Sequence, residues 1–145
     1  MTDIEKAKQS LAGHTIALCK GGDIVTSDKR GIAPMLGFIA ENRNLAGYSV
    51  ADLIVGKAAA TLFVKAGIAA VNAKTLSVAG RDFLQSHGVP VMYDVLTERI
   101  FNRDKTDVCP MEKTVENLSD CDTAYVALSG KAEELRRLRE ANANR

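Results

Sequence analysis

The sequence predicts an α/β protein, a three-layer α/β/α sandwich around a five-stranded mixed sheet. Three observations predict it. Two β-rich runs flank Lys20-Gly21-Gly22, the pattern of an antiparallel hairpin. Further along, short apolar runs alternate with longer stretches whose apolar residues recur at helical spacing. Alternation of that kind implies right-handed crossovers, and therefore a largely parallel second half of the sheet.

Each element has its own signal. Residues 2–11 place Ile4, Ala7 and Leu11 on one helical face, with Thr2 or Asp3 as the cap. His14–Cys19 and Asp23–Ser27 are the hairpin strands. Residues 31–42 read as a helix through Ile32, Met35, Leu36 and Ile39, with Pro34 in its first turn. Asp52–Val55 is a short apolar lead-in to a helix over 56–66, which Gly67 ends. Ile68–Val71 is the third strand, 75–87 a helix stopped by Gly88, and Val89–Tyr93 the fourth strand. Cys109-Pro110-Met111-Glu112 opens a helix running to about Leu118. Thr123–Leu128 is the fifth strand, and Ser129 or Gly130 then caps a charged helix over 131–140.

Composition narrows the function class. The chain reads as one domain, 1–145, with 46% hydrophobic and 26% charged residues, ordinary for a soluble protein. A formal net charge of +1 gives no electrostatic case for nucleic acid, and the absence of tryptophan leaves little for base stacking. No apolar run is long enough to cross a membrane, and no signal-peptide core follows the N-terminus. Three cysteines without Cys-x-x-Cys spacing argue against a disulfide framework and a thiolate zinc site, and so for a reduced, cytoplasmic protein.

Two dense stretches carry the candidate chemistry: 52–60, which holds Asp52, Gly56 and Lys57, and 102–112, which holds Asn102, Arg103, Cys109 and Glu112. Each leads into a helix, where orphan N–H groups and the dipole favour an anion. With Ile54-Val-Gly-Lys-Ala-Ala-Ala60, Leu76-Ser-Val-Ala-Gly80 and Cys109-Pro-Met-Glu-Lys113, the chain resembles the bacterial family called domain of unknown function 1893. The resemblance implies a cytidine-deaminase-like fold and no established reaction. Zinc-dependent deaminases set His-x-Glu or Cys-x-Glu at the first helix start and Pro-Cys-x-x-Cys at the next. Here those slots read Val55-Gly-Lys57 and Thr75-Leu-Ser-Val-Ala79. The resemblance therefore implies a scaffold without zinc ligands, with no metal and no other cofactor, and argues against a zinc deaminase.

The remaining residues each carry two readings. Lys57 begins an apolar, small-residue helix, so it either binds an anion or reacts, or neutralises a buried Asp52. Asp52 is then a counter-ion or a polar group of the pocket. Cys109 at a helix start near Lys57 would favour the thiolate and could be catalytic, but Cys-Pro-x-Glu is also a structural helix start, Glu112 included. Ser77 is a cap or a hydroxyl donor to a ligand; Asn102 and Arg103 are a solvated turn or pocket lining. Gly56 would let a ligand approach the backbone. These residues suit a binding protein for a nucleotide-like or other anionic small molecule. The alternative is a metal-independent enzyme using Cys109 or Lys57 on such a ligand. The Glu133–Arg139 run reads as a solvated helix face. Nothing in the sequence speaks against a homo-oligomer.

Overall fold

The computed structural model describes residues 1–102 and 104–143. The hairpin forms as its sequence predicts. Strands β1 (Ile16–Lys20) and β2 (Asp23–Ser27) pair antiparallel, with Ile16 opposite Ser27 and Lys20 opposite Asp23. Before them, helix α1 (Asp3–Ser10) opens on a capping box. The Thr2 hydroxyl accepts from the Glu5 N–H, and the Glu5 carboxylate accepts from the Thr2 N–H.

The other side of β1 pairs antiparallel with β3 (Ser49–Val55), and β4 (Ala70–Ser77) and β5 (Val91–Thr97) follow parallel to it. The sheet order is β2-β1-β3-β4-β5, a mixed, open sheet of five strands. Helix α3 (Lys57–Ala66) begins directly beyond β3, and α4 (Val78–Ser86) directly beyond β4. Because those two strands are adjacent and parallel, both helix N-termini stand at the same edge of the sheet.

Alternation along β1 separates two cores. Ala17 and Cys19 join Ala51 against Ala7 and Leu11 of α1, whereas Ile16 and Leu18 join the larger cluster. Helices α2 (Ala33–Ala40), α5 (Pro110–Val115) and α6 (Cys121–Ala143) contribute Met35, Val115 and Leu128 to that larger cluster. Helix α3 is buried from Ala58 through Phe63, so its three alanines let neighbours approach closely.

The strand count is right, but its membership differs from the sequence reading. Thr123–Leu128 is not a strand; it lies inside α6, and Ser129 and Gly130 are interior residues of that helix rather than caps. Asp120 explains the start: its carboxylate accepts from the Thr123 N–H and its carbonyl from the Ala124 N–H. Ala124 and Leu128, one helical turn apart, are both fully buried, whereas Val126 is exposed. That pattern is helical, and it overrides the β-propensity of Thr, Tyr and Val. The fifth strand is β3, of which only the last residues read as a lead-in. Strand β4 runs on to Ser77, displacing the start of α4 from 75 to Val78, and β5 extends to Thr97 rather than Tyr93.

Candidate functional site

At the sheet edge where α3 and α4 begin, the chain supplies its own anion. The Glu112 carboxylate, from α5, accepts 2.8 Å hydrogen bonds from the N–H groups of Lys57 and Ala58. It caps α3 from across the fold, since Gly56 at the N-cap position has no side chain to do so. A Cβ built on Gly56 would lie 2.1 Å from Glu112 Oε1. Gly56 is therefore the gap through which Glu112 reaches the helix. One on Gly80 would lie 2.9 Å from the Gly56 carbonyl carbon, so the starts of α3 and α4 are in backbone contact. Burial raises the Glu112 carboxyl above its ordinary range, and the two N–H bonds and the charge of Lys57 oppose that rise.

Ser77 is the cap of α4. Its hydroxyl is buried and accepts from the Gly80 N–H at 3.0 Å. The Lys57 ammonium donates to the Glu116 carbonyl, 3.1 Å away, tying α3 to the end of α5. It makes no ion pair with Asp52. That carboxyl is buried in β3 and accepts from the neighbouring Leu53 N–H at 2.8 Å. Burial without a cation pushes it up to about 8, against the pull of the Leu53 and Ile54 N–H groups. Burial thus favours the protonated form of Asp52.

Glu112 stands between two hollows. The first, about 540 Å³, is lined by Gly56, Asn102, Cys109 and Glu112. The second, about 570 Å³, is lined by Lys57, Ser77 and Glu112. The structure therefore brings Cys109, Asn102 and Gly56 together and sets Lys57 and Ser77 on the far side of Glu112. Asp52 lines neither. Arg103 lies outside the described residues. Asn102 also holds its own loop: its side-chain carbonyl accepts from the Thr106 N–H, and its N–H donates to the Asp107 carbonyl. The Cys109 N–H donates to the Ile100 carbonyl, closing that loop beside the cavity.

The first hollow has a mixed wall. Ile32, Leu36, Ile54, Met111 and Leu135 make it apolar, and Phe101, more than half exposed, stands at it. Arg30 and Arg139 line it as well, both exposed. Among the described residues, the arginines engaged in ion pairs are Arg81, Arg136 and Arg137, not these two. Asp104 also lines it. The second hollow is more heavily charged, with the Lys113–Asp107 ion pair in its wall. Among the described residues, no three His, Cys, Asp or Glu side chains are grouped to hold a metal ion.

The family model described as TM1506, domain of unknown function (DUF1893), matches residues 6–131. The chain belongs to the DUF1893 family. Its fold is similar to the crystal structure of a DUF1893 family protein (TM1506) from Thermotoga maritima, with a TM-score of 0.80. The two are 23% identical, and the match covers 90% of this chain and 91% of that one. No curated protein matches the sequence. No helix in the described residues is long and apolar enough to cross a membrane.

Sequence reasoning missed Arg30 and Arg139 in this DUF1893 chain. Arg30 sits in an exposed turn, and Arg139 within a charged helical run that reads as solvated face. Only the chain path, which sets α2 and the end of α6 around one hollow, makes them neighbours of Cys109. No local pattern signals that.

Proposed function

We propose that this DUF1893 protein binds a small anionic molecule, nucleotide-like or otherwise. Its scaffold would be a three-layer α/β/α sandwich like that of the cytidine deaminases but without their zinc ligands. The observation that carries the reading is the 540 Å³ hollow. Two guanidinium side chains, neither in an ion pair among the described residues, line it over aliphatic walls, the mixture that small-molecule sites use. Guanidinium groups bind carboxylates and phosphates through paired hydrogen bonds, and neighbouring apolar walls strengthen them by excluding water.

The deaminase likeness is supported by the order β2-β1-β3-β4-β5 and by the meeting of the α3 and α4 starts at Gly56 and Gly80. The residues there do not fit a zinc ion. Val55 and Lys57 stand in the first slot, no thiolate stands in the second, and the Glu112 carboxylate already occupies the start of α3. No metal-dependent step follows from such a set.

Cys109 lines the same hollow, and this supports the alternative of a metal-independent enzyme with Cys109 as its nucleophile. Lys57 lines the other hollow and would not act on the same ligand. Thermal melts in the presence of nucleoside monophosphates and small carboxylates test the binding reading. A ligand at one hundred times its Kd stabilises by ~2.7 kcal/mol. In a chain of this length that raises Tm by about 5–10 °C. No shift with any of them, together with no small molecule retained on purification, overturns the proposal. A Cys109→Ser variant that binds normally but loses turnover would favour the enzyme.

A further inference from the structure

Among the described residues, strand β5 ends the sheet with its outer edge unpaired, and its apolar side chains are open on both faces. Met92 is 45% exposed, Tyr93 42%, Val95 55% and Leu96 37%. Side chains alternate along a strand, so Met92, Asp94 and Leu96 share one face and Tyr93 and Val95 the other. Parallel strands are ordinarily covered on both faces, and an open apolar edge is a template for another strand. We infer that β5 pairs antiparallel with β5 of a second copy, about a two-fold axis at Asp94, joining two sheets into one.

The choice of a second copy rests on the pattern of the strand itself. About Asp94, the run Met92-Tyr-Asp-Val-Leu96 is apolar-symmetric. In that register Met92 lies opposite Leu96 of the second copy and Tyr93 opposite its Val95. All four exposed side chains then gain cross-strand partners, one pair aromatic against β-branched. Registers centred on Tyr93 or Val95 would instead set Asp94 against Met92 or Leu96. The one unfavourable contact of this register, Asp94 against Asp94, has a cation on either side. Ala73 pairs with Tyr93 and Thr75 with Val95, so the exposed Lys74 of β4 stands beside Asp94 on the same face. At the axis the side chains then run Lys74, Asp94, Asp94, Lys74, at strand spacings of about 4.8 Å. Each carboxylate has an ammonium beside it, which offsets the repulsion between the two facing carboxylates, and the row is neutral. A two-fold pairing also closes, because each copy uses up its β5 edge in the contact.

Sedimentation equilibrium of the full chain tests this, with circular dichroism to confirm that each variant folds. The wild type is expected at twice the 15.6 kDa chain mass at tens of micromolar. Asp94→Lys places four ammonium groups in the row and should weaken association at least tenfold. Asp94→Lys with Lys74→Glu rebuilds the neutral row with every sign reversed and should restore the dimer. A wild type that sediments as a single chain overturns the inference, as does an Asp94→Lys variant that associates unchanged. A double variant that stays monomeric overturns the register, and open-ended assembly overturns the two-fold axis. The readout is mass alone, so the outcome is independent of whether any small molecule binds.

Discussion

The Glu112 carboxylate accepts the first two N–H groups of α3, and the missing side chain at Gly56 leaves it room. This pair makes a sharp prediction. Gly56→Ala forces the carboxylate off the helix start and should cost about 1–3 kcal/mol, as overpacking does. Glu112→Gln keeps the shape but turns one acceptor into a donor facing an N–H, which should also cost about 1–3 kcal/mol. Urea melts measure both, and the double variant should lose less than the sum of the two, because both break one contact. Full additivity would mean that Glu112 and Gly56 act separately. Asp52 gives a second prediction at this scale. Its carboxyl is pushed up to about 8 in the folded protein from its ordinary value of 3.8. Between those values the native state holds a proton that the unfolded chain has released. Stability is therefore fullest below the unfolded value and falls as pH rises toward 8. Asp52→Asn removes the titration, so its stability relative to wild type should improve with rising pH across that window. A constant difference from pH 4 to pH 8 would refute the assignment.

At the scale of elements, α6 is the instructive case. The segment Thr123–Leu128 satisfies a strand pattern as well as a helical one, and local propensity favours the strand. What decides is remote. Lys65, on α3, pairs with Asp122, and Ala124 and Leu128 reach the core beside α3 and α5. The two readings predict different mutational costs. In a strand, residues 124, 126 and 128 share a face, whereas in the helix 126 points away. Leu128→Ala should therefore cost about 2–5 kcal/mol. Val126→Ala should stay within about 0.5 kcal/mol, as exposed substitutions do. Equal costs in chemical denaturation would restore the strand. By contrast, the hairpin, α1 and α3 were legible because turn chemistry, capping and small-residue periodicity all agreed. The candidate site was half legible for a related reason. Residues near helix starts are visible in sequence, but which start already holds a carboxylate is not.

Across the whole molecule, the cavity is assembled from segments that sequence order keeps apart. The turn before α2 brings Arg30, the end of β3 brings Ile54 and Gly56, the loop after β5 brings Phe101 to Cys109, and α6 brings Leu135 and Arg139. Among the described residues neither arginine has an ion pair to lose, and both are exposed, so neither substitution should disturb the fold. If a bound anion engages both, Arg30→Ala and Arg139→Ala should each weaken binding by about 1.5–3 kcal/mol, the worth of a charge-assisted hydrogen bond. Melting temperatures without ligand should stay nearly constant. Because the two groups would hold the same anion, the double variant should depart from additivity by at least about 0.5 kcal/mol. Titration calorimetry with whichever nucleoside monophosphate or carboxylate shifts the melt measures all three variants. Strictly additive losses would place the two arginines on different parts of the ligand. A single variant with unchanged affinity would remove that arginine from the site, and Lys57→Met, across the Glu112 wall, serves as the internal control that should leave affinity in this cavity unaltered.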